Sequence, residues 1–341
     1  MAYNAENCPP RSFGIALLGL CLCTFAISPG GREISGQTRW FEKVVSSQAS
    51  VDASSRADIK ETSAPQDFEE RCKTPGVLVC QGFDSARDFL PPRWPASGLY
   101  PAWDKAIHGS RDSTIMASGK GSLRLEILSN SGENTAGFWR QSFEHSFGPG
   151  TTFYVQFRQR FSKEMLTNEW GDTAWKQVIF HNESSTCAKV ELTTAQYHHA
   201  GIPIMYTDCG DRALYRDNRG QQPLLLEQGD YNCVFGHINQ EDCFHYPADQ
   251  WVTFYYEVSI GRWGKPESTI NAWTALDGQL YKQWIKILHF ILKNNHPGSD
   301  YDTVTLLAYM TNKDSKISHP NAYTWYDELI VSKNPIAPPK S

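Results

Sequence analysis

Arg158 and Arg160 stand one pleat apart in the run Tyr154-Val-Gln-Phe-Arg-Gln-Arg-Phe161. Side chains on a strand alternate between two faces. Tyr154, Gln156, Arg158 and Arg160 therefore share one face, while Val155, Phe157 and Phe161 share the other with Gln159 as a polar guest. A guanidinium grips a carboxylate with two parallel hydrogen bonds. Two of them side by side repel each other unless an anion or an acidic side chain sits between them. Glu126 and Glu191 are the acids that could play that part. The run 175–181 has the same alternation, with Lys176, Val178 and Phe180 on one side and Trp175, Gln177, Ile179 and His181 on the other. Faces rich in Arg, Gln, His and aromatic rings suit a groove for a polar, anionic polymer. The competing reading is a plainly solvated sheet face.

The elements that must position these residues are strands. Alternating or β-branched runs at 76–83, 122–128, 137–142, 152–162, 175–181, 189–195, 202–208, 251–260, 269–275, 303–311 and 323–332 are separated by Gly, Pro, Asn and Asp. Helical periodicity is nearly absent; 281–292 is the single candidate and is ambiguous between helix and strand. So many short strands in one domain predict an all-β fold, a two-sheet antiparallel jelly-roll sandwich.

The 341-residue chain carries a formal charge of −5, so bulk electrostatics do not point to nucleic acid. Aromatic residues make up 13% of it, 11 of them Trp. Arg11 followed by an apolar stretch to Ile27 and by Ser28, Pro29 and Gly30 reads as a signal peptide or N-terminal anchor over 1–29. Residues 30–69 are rich in Ser, Ala and charge and read as a linker, which leaves 70–341 for the sandwich. Secretion, or export to a periplasm, and a monomeric state are expected, with no membrane contact beyond that anchor. Of nine cysteines, six lie in the domain region. Their spacing favours Cys72–Cys80, Cys187–Cys209 and Cys233–Cys243 bridges, in keeping with an oxidising compartment. Asn182-Glu-Ser184 matches a glycosylation sequon, and His198 and His199 fall at the tip of an expected hairpin.

Three segments resemble landmarks of the concanavalin-A-like jelly-roll superfamily of carbohydrate-active proteins. Gly76-Val-Leu-Val-Cys-Gln-Gly-Phe-Asp84 resembles its opening strand, Gly121-Ser-Leu-Arg-Leu-Glu-Ile127 an early strand, and Tyr323-Thr-Trp-Tyr-Asp-Glu-Leu-Ile-Val-Ser332 its closing strand. Within that superfamily the chain is most similar to jelly-roll polysaccharide lyases of the alginate, glucuronan and heparin-lyase kind. Arg124-Leu-Glu126 fits their Arg-x-Glu strand. Gln177 and His181 fit their Gln-x-His strand with a spacing of four in place of two. Tyr309 and Lys313 occupy the late strand.

The resemblance implies β-elimination on an acidic, uronate-containing polysaccharide with no cofactor needed for the chemistry. The base must remove a proton alpha to a carboxylate, which has to be neutralised by cations or donors. The implied catalytic set is Arg124, Gln177, His181 and Tyr309. Arg158, Arg160, Gln156, Trp175, Glu191, Tyr206 and Tyr255 would line the substrate groove. The resemblance also implies a structural Ca²⁺ held by Asp84 and Asp327, since that ion takes carboxylate oxygens in flexible geometry.

Two other classes stay open. A jelly-roll hydrolase would need two carboxylates about 5 Å apart on one face; no Glu-x-Asp-x-x-Glu string occurs, although Glu191 and Glu257 give one candidate each. A lectin-like module would use Trp139, Trp175, Tyr206 and Tyr255 as stacking platforms.

Overall fold

The computed structural model describes residues 64–90, 97–101, 108–132, 136–168, 170, 174–182, 191–197, 203–206, 244–292, 298–310 and 313–340. Among them, fourteen strands form two antiparallel sheets. They are β1 (Val77–Gln81), β2 (Gly98–Tyr100), β3 (Gly109–Asp112), β4 (Ser122–Ile127), β5 (Phe138–Phe147), β6 (Thr152–Phe161), β7 (Ala174–His181), β8 (Glu191–Tyr197), β9 (Pro203–Tyr206), β10 (Trp251–Ser259), β11 (Pro266–Leu276), β12 (Lys282–Ile291), β13 (Tyr301–Met310) and β14 (Ala322–Ser332). The larger sheet runs β12-β11-β10-β6-β14-β4-β3, with β1 also paired to β14. The smaller runs β2-β5-β13-β7-β8-β9. Neighbours in these orders are mostly distant in sequence, as an all-β sandwich of jelly-roll type requires.

The inward faces meet where alternation places the apolar residues. Phe153, Val155, Phe157 and Phe161 of β6 pack with Phe254, Tyr256 and Val258 of β10. From the smaller sheet come Trp139, Phe143, Val178, Phe180, Val304 and Leu306. Phe180 crosses the gap between the sheets to Phe153 at 5.7 Å and Tyr256 at 5.2 Å, edge to face in both cases. Each such ring, fully buried, stabilises the fold by about 1.5–3 kcal/mol. Gln159, the polar guest on the inward face, donates from Nε2 to Thr324 Oγ1 at 2.9 Å.

The ambiguous stretch 281–292 is strand β12: its main chain pairs with β11, with register shifts that accommodate its irregular apolar pattern. Further elements were not legible. The short strands β2 and β3 contain Gly98 and Gly109 and lack alternation. Helix α1 (Ala64–Cys72) begins inside the stretch 30–69 assigned to the linker. Its Phe68 joins Tyr255, Ile330 and Ile336 in a small apolar cluster on the outer face of the larger sheet. The Cys72–Cys80 disulfide fastens α1 to β1. A second short helix, α2 (Lys163–Thr167), follows β6 and is capped by the Ser162 hydroxyl. No helix among the described residues is long and apolar enough to cross a membrane. Residues 1–63 and the expected Cys187–Cys209 and Cys233–Cys243 bridges lie outside the described residues, as do His198, His199 and the sequon beyond Asn182.

Candidate active site on the outer face of the smaller sheet

Three adjacent strands, β5, β13 and β7, build the polar face that looks away from the core. Inter-strand register sets Arg140 opposite Thr305, and Thr305 opposite Ile179. The same ladders set Thr303 opposite His181 and Tyr309 opposite Lys176. The neighbours of these residues in sequence, Trp139, Val304, Leu306, Phe180 and Trp175, point into the core. Alternation therefore delivers Arg140, Thr305, His181, Lys176 and Tyr309 to one surface.

His181 is 4% exposed. Its Nδ1 faces the Asn182 carbonyl oxygen, and its Nε2 lies 2.7 Å from Thr305 Oγ1. A carbonyl only accepts, so Nδ1 carries the proton and donates it; Nε2 then accepts from the Thr305 hydroxyl. Burial, followed by the nearby Arg140 charge, holds the imidazole pKa down at about 3, against a smaller upward pull from the Asn182 carbonyl. The ring is neutral at physiological pH, with its lone pair at Nε2. The Arg140 guanidinium lies over the Tyr100 ring at 5.0 Å and the Phe138 ring at 5.3 Å. Those rings stack on each other at 4.9 Å. Arg140 Nε is buried with no hydrogen-bond partner among the described residues. Lys176 Nζ sits 5.3 Å from the centre of the Tyr309 ring.

Gln177 does not join this face. The β7 ladders shift register on either side of it, and the extra residue of such a bulge changes the phase of alternation. Trp175, Val178 and Phe180 consequently all point inward, whereas strict alternation had put Trp175 with His181. Gln177 is fully buried and accepts from the Tyr246 hydroxyl at 2.6 Å. The expected pairing of Gln177 with His181 on one face is thus corrected, as is a groove role for Trp175, which is fully buried.

Another part of the expected set lies on the opposite side of the sandwich, because β4, β6 and β10 belong to the larger sheet. Gln156 is locked there: its Oε1 accepts from Arg71, and its Nε2 donates to Tyr281 Oη at 2.9 Å and the Ala337 carbonyl at 3.0 Å. Arg158 is buried against Asp277 and Glu328. Arg160 lies 3.6 Å from Asp249, and Arg124 lies 3.9 Å from Asp112. The acids that relieve the arginine pair are therefore Asp277, Glu328 and Asp249, none of them the expected Glu126 or Glu191. Tyr255 is buried under α1 in the small cluster. Trp139 is fully buried as well, so neither ring can stack on a sugar. Of Glu191 and Tyr206 the backbone alone is described: Glu191 stands opposite His181, and Tyr206 opposite Thr193.

Asp84 and Asp327 both clasp the loop that precedes β4. Asp84 Oδ1 accepts from the main-chain N–H groups of Lys120 and Gly121. Asp327 Oδ2 accepts from Ala117 N at 2.8 Å and Ser118 N at 3.2 Å, and its Oδ1 from Glu328 N at 2.8 Å. A Cβ at position 119, where φ is +67°, would collide with the Asp84 carboxylate. Amide donors aimed at these oxygens would have to be displaced by a cation, so the two side chains do not fit a calcium site as they stand. No group of three or more His, Cys, Asp or Glu poised for a metal exists among the described residues. Burial pushes the Asp327 carboxyl well above the ordinary range, with Glu328 adding to the effect.

Arg140 and Lys176 are the site residues that sequence reasoning missed. The signal was present for Arg140: in Phe138-Trp-Arg-Gln-Ser142 it alternates with core-facing Trp139. Lys176 was placed beside Val178 and Phe180 because the bulge is invisible in a pattern of residue types. Lys313, on the expected late strand, lies after β13, donates to the Ser131 carbonyl and sits over the Trp170 ring at 5.8 Å. Burial lowers its pKa to about 8.

Comparison with solved structures finds similar folds at low identity. A marine alginate lyase from Aplysia kurodai aligns over 75% of this chain and 98% of its own, with a TM-score of 0.49 and 11% identity. An endo-β-1,4-glucuronan lyase from the fungus Trichoderma reesei aligns over 66% and 87%, with a TM-score of 0.42 and 11% identity. The Chlorella virus alginate lyase vAL-1 aligns over 76% and 100%, with a TM-score of 0.42 and 12% identity. Likeness at this level carries neither a residue's role nor a substrate over to this chain. No family model matches the sequence, and no curated protein matches it.

Proposed function

We propose that this protein is an extracytoplasmic polysaccharide lyase that cleaves an acidic, uronate-containing polymer by β-elimination on the outer face of the smaller sheet. One observation carries the reading: two cations, Arg140 and Lys176, share a sheet face with a neutral imidazole and a tyrosine, His181 and Tyr309. Elimination needs those three functions together. The uronate carboxylate must lose its negative character before the proton alpha to it, at C5, becomes acidic enough to remove. Arg140, beside two stacked rings, offers a fork of donors for that carboxylate. Lys176 adds a second positive charge beside Tyr309.

The base takes the C5 proton, the C4–C5 double bond forms, and the C4–O bond breaks with its electron pair going to the oxygen. That oxygen then accepts a proton. Tyr309, beside Lys176, is the group placed to make these transfers. A conjugate acid that titrates near 3 leaves His181 unprotonated but a weak base. The transfers therefore fall on Tyr309, while His181, bonded to Thr305 further along the strands, helps bind the polymer on the same face. A carbohydrate-binding face without chemistry is the second reading, favoured by the fact that both His181 nitrogens already have partners. Incubation with alginate, glucuronan and heparin decides between them. A lyase yields the absorbance of a new unsaturated end group, a hydrolase yields reducing ends alone, and a binder yields neither.

A further inference from the structure

The outer face of the larger sheet carries a row of side chains that the proposed chemistry does not use. Register places Trp251 of β10 opposite Arg160 of β6, and Arg160 opposite Trp325 of β14. It places Trp325 opposite Arg124 of β4 in turn. The row thus reads Trp, Arg, Trp, Arg across four adjacent strands. Strands lie about 4.8 Å apart, so the two indoles repeat at about 10 Å and so do the two guanidiniums. Tyr323 widens the platform: its ring stacks on Trp325 at 5.9 Å, and Arg124 lies over it at 5.7 Å. Trp325 itself is 6% exposed, while Trp251, Tyr323, Arg124 and Arg160 all reach solvent.

The charges on this row are incompletely matched. Arg124 and Arg160 stand 3.9 and 3.6 Å from Asp112 and Asp249, beyond hydrogen-bond length. The Nε of each is buried without a hydrogen-bond partner among the described residues. Asp112 is spoken for: it accepts from Thr114 N, Thr114 Oγ1, Ile115 N and Trp325 Nε1. Those bonds hold its pKa at about 2 against the opposing effect of burial, so it stays ionised but has little left to offer a ligand. What the row presents outward is donor capacity and aromatic surface, with the Arg158 guanidinium already over the Trp251 ring at 5.9 Å. A ligand that suits it is extended, rich in acceptors, negatively charged at intervals, and flat enough between the charges to stack.

We propose that this row is a second, non-catalytic binding surface for a carboxylated polysaccharide lying across the strands. Sugar faces rest on Trp251 and Tyr323, and carboxylates meet Arg160 and Arg124. It lies on the opposite side of the sandwich from the candidate active site and works whether or not that site cleaves anything. A surface of this kind holds the protein on a polymer between encounters of the other face with the chain.

Affinity electrophoresis in gels containing alginate, polyglucuronate or an uncharged polymer such as hydroxyethylcellulose tests it. The wild-type protein should be retarded by the two uronates, less so as salt rises, and not by the neutral gel. The Arg124→Gln/Arg160→Gln variant should lose about tenfold or more in uronate affinity with an unchanged Tm. Trp251→Leu should lose affinity as well, while Arg140→Gln, on the other face, should still be retarded. Full retardation of the double variant would overturn the proposal, and so would equal retardation in the neutral gel. Because the readout is binding, an absence of cleavage leaves this test intact.

Discussion

Tyr309 and His181 make separable demands on the chemistry. Removing the Tyr309 hydroxyl by Tyr309→Phe should lower turnover by about 10²-fold or more and leave substrate binding nearly intact, because the ring and Lys176 remain. Initial rates of unsaturated product on a verified uronate polymer measure it; near wild-type turnover would remove Tyr309 from the mechanism. His181 speaks through stability. Its folded pKa of about 3 lies below the value of an exposed imidazole. Between pH 6.5 and 3 the unfolded chain therefore binds a proton that the native protein does not. Stability falls as pH drops through that window, by up to about 1.4 kcal/mol per pH unit from this one group. Urea midpoints at pH 7 and pH 4.5 should differ less in His181→Gln than in the wild type. An equal pH dependence would mean that the ring is not buried neutral.

Helix α1 meets the larger sheet through buried charges as well as through the apolar cluster around Phe68. Arg71 bonds Asp67, Gln156 and Glu328, and Asp67, Arg71 and Glu328 are all nearly inaccessible. Breaking a buried network of this kind by removing one partner strands the others. Arg71→Ala should cost about 3–5 kcal/mol in denaturant unfolding, since Glu328 keeps only the looser contact with Arg158 at 3.7 Å. A loss below about 1 kcal/mol, the range of exposed pairs, would show that α1 does not clamp the face. The bulge at Gln177 matters as much at this scale. It turns Lys176 toward Tyr309 while Val178 stays in the core, so two residues that strict alternation would put on one face serve opposite sides of the sheet.

Across the whole molecule the sandwich separates two polar surfaces. One carries Arg140, Lys176, His181 and Tyr309; the other carries Arg124, Arg160 and the Trp row, with the buried Arg71 network beside it. The core between them keeps each set of charges out of the other's reach. The closing strand β14 ties the larger sheet together, and Asp327 on it secures the loop before β4 through main-chain donors. Treatment with a chelator should accordingly leave Tm unchanged. A clear fall on chelation, restored by added Ca²⁺, would return Asp84 and Asp327 to the role of ligands.

The order of residue types was enough to determine the all-β architecture, because alternation and turn punctuation are local properties and each strand declares its own apolar side. It also determined the Cys72–Cys80 bridge, whose partners lie close in the chain. Alternation says which residues share a face of one strand; it does not say which strands share a sheet. Arg158 and His181 were assigned to one groove on chemistry alone, yet β6 and β7 belong to different sheets and their polar faces point apart. The helix at residues 64–72 escaped notice for a related reason. Its polar residues look like linker until Glu328 and Gln156, distant in sequence, arrive to pair with Arg71. Strand order, the bulge at Gln177 and the partners of buried charges are long-range facts, decided when the two sheets close over one core.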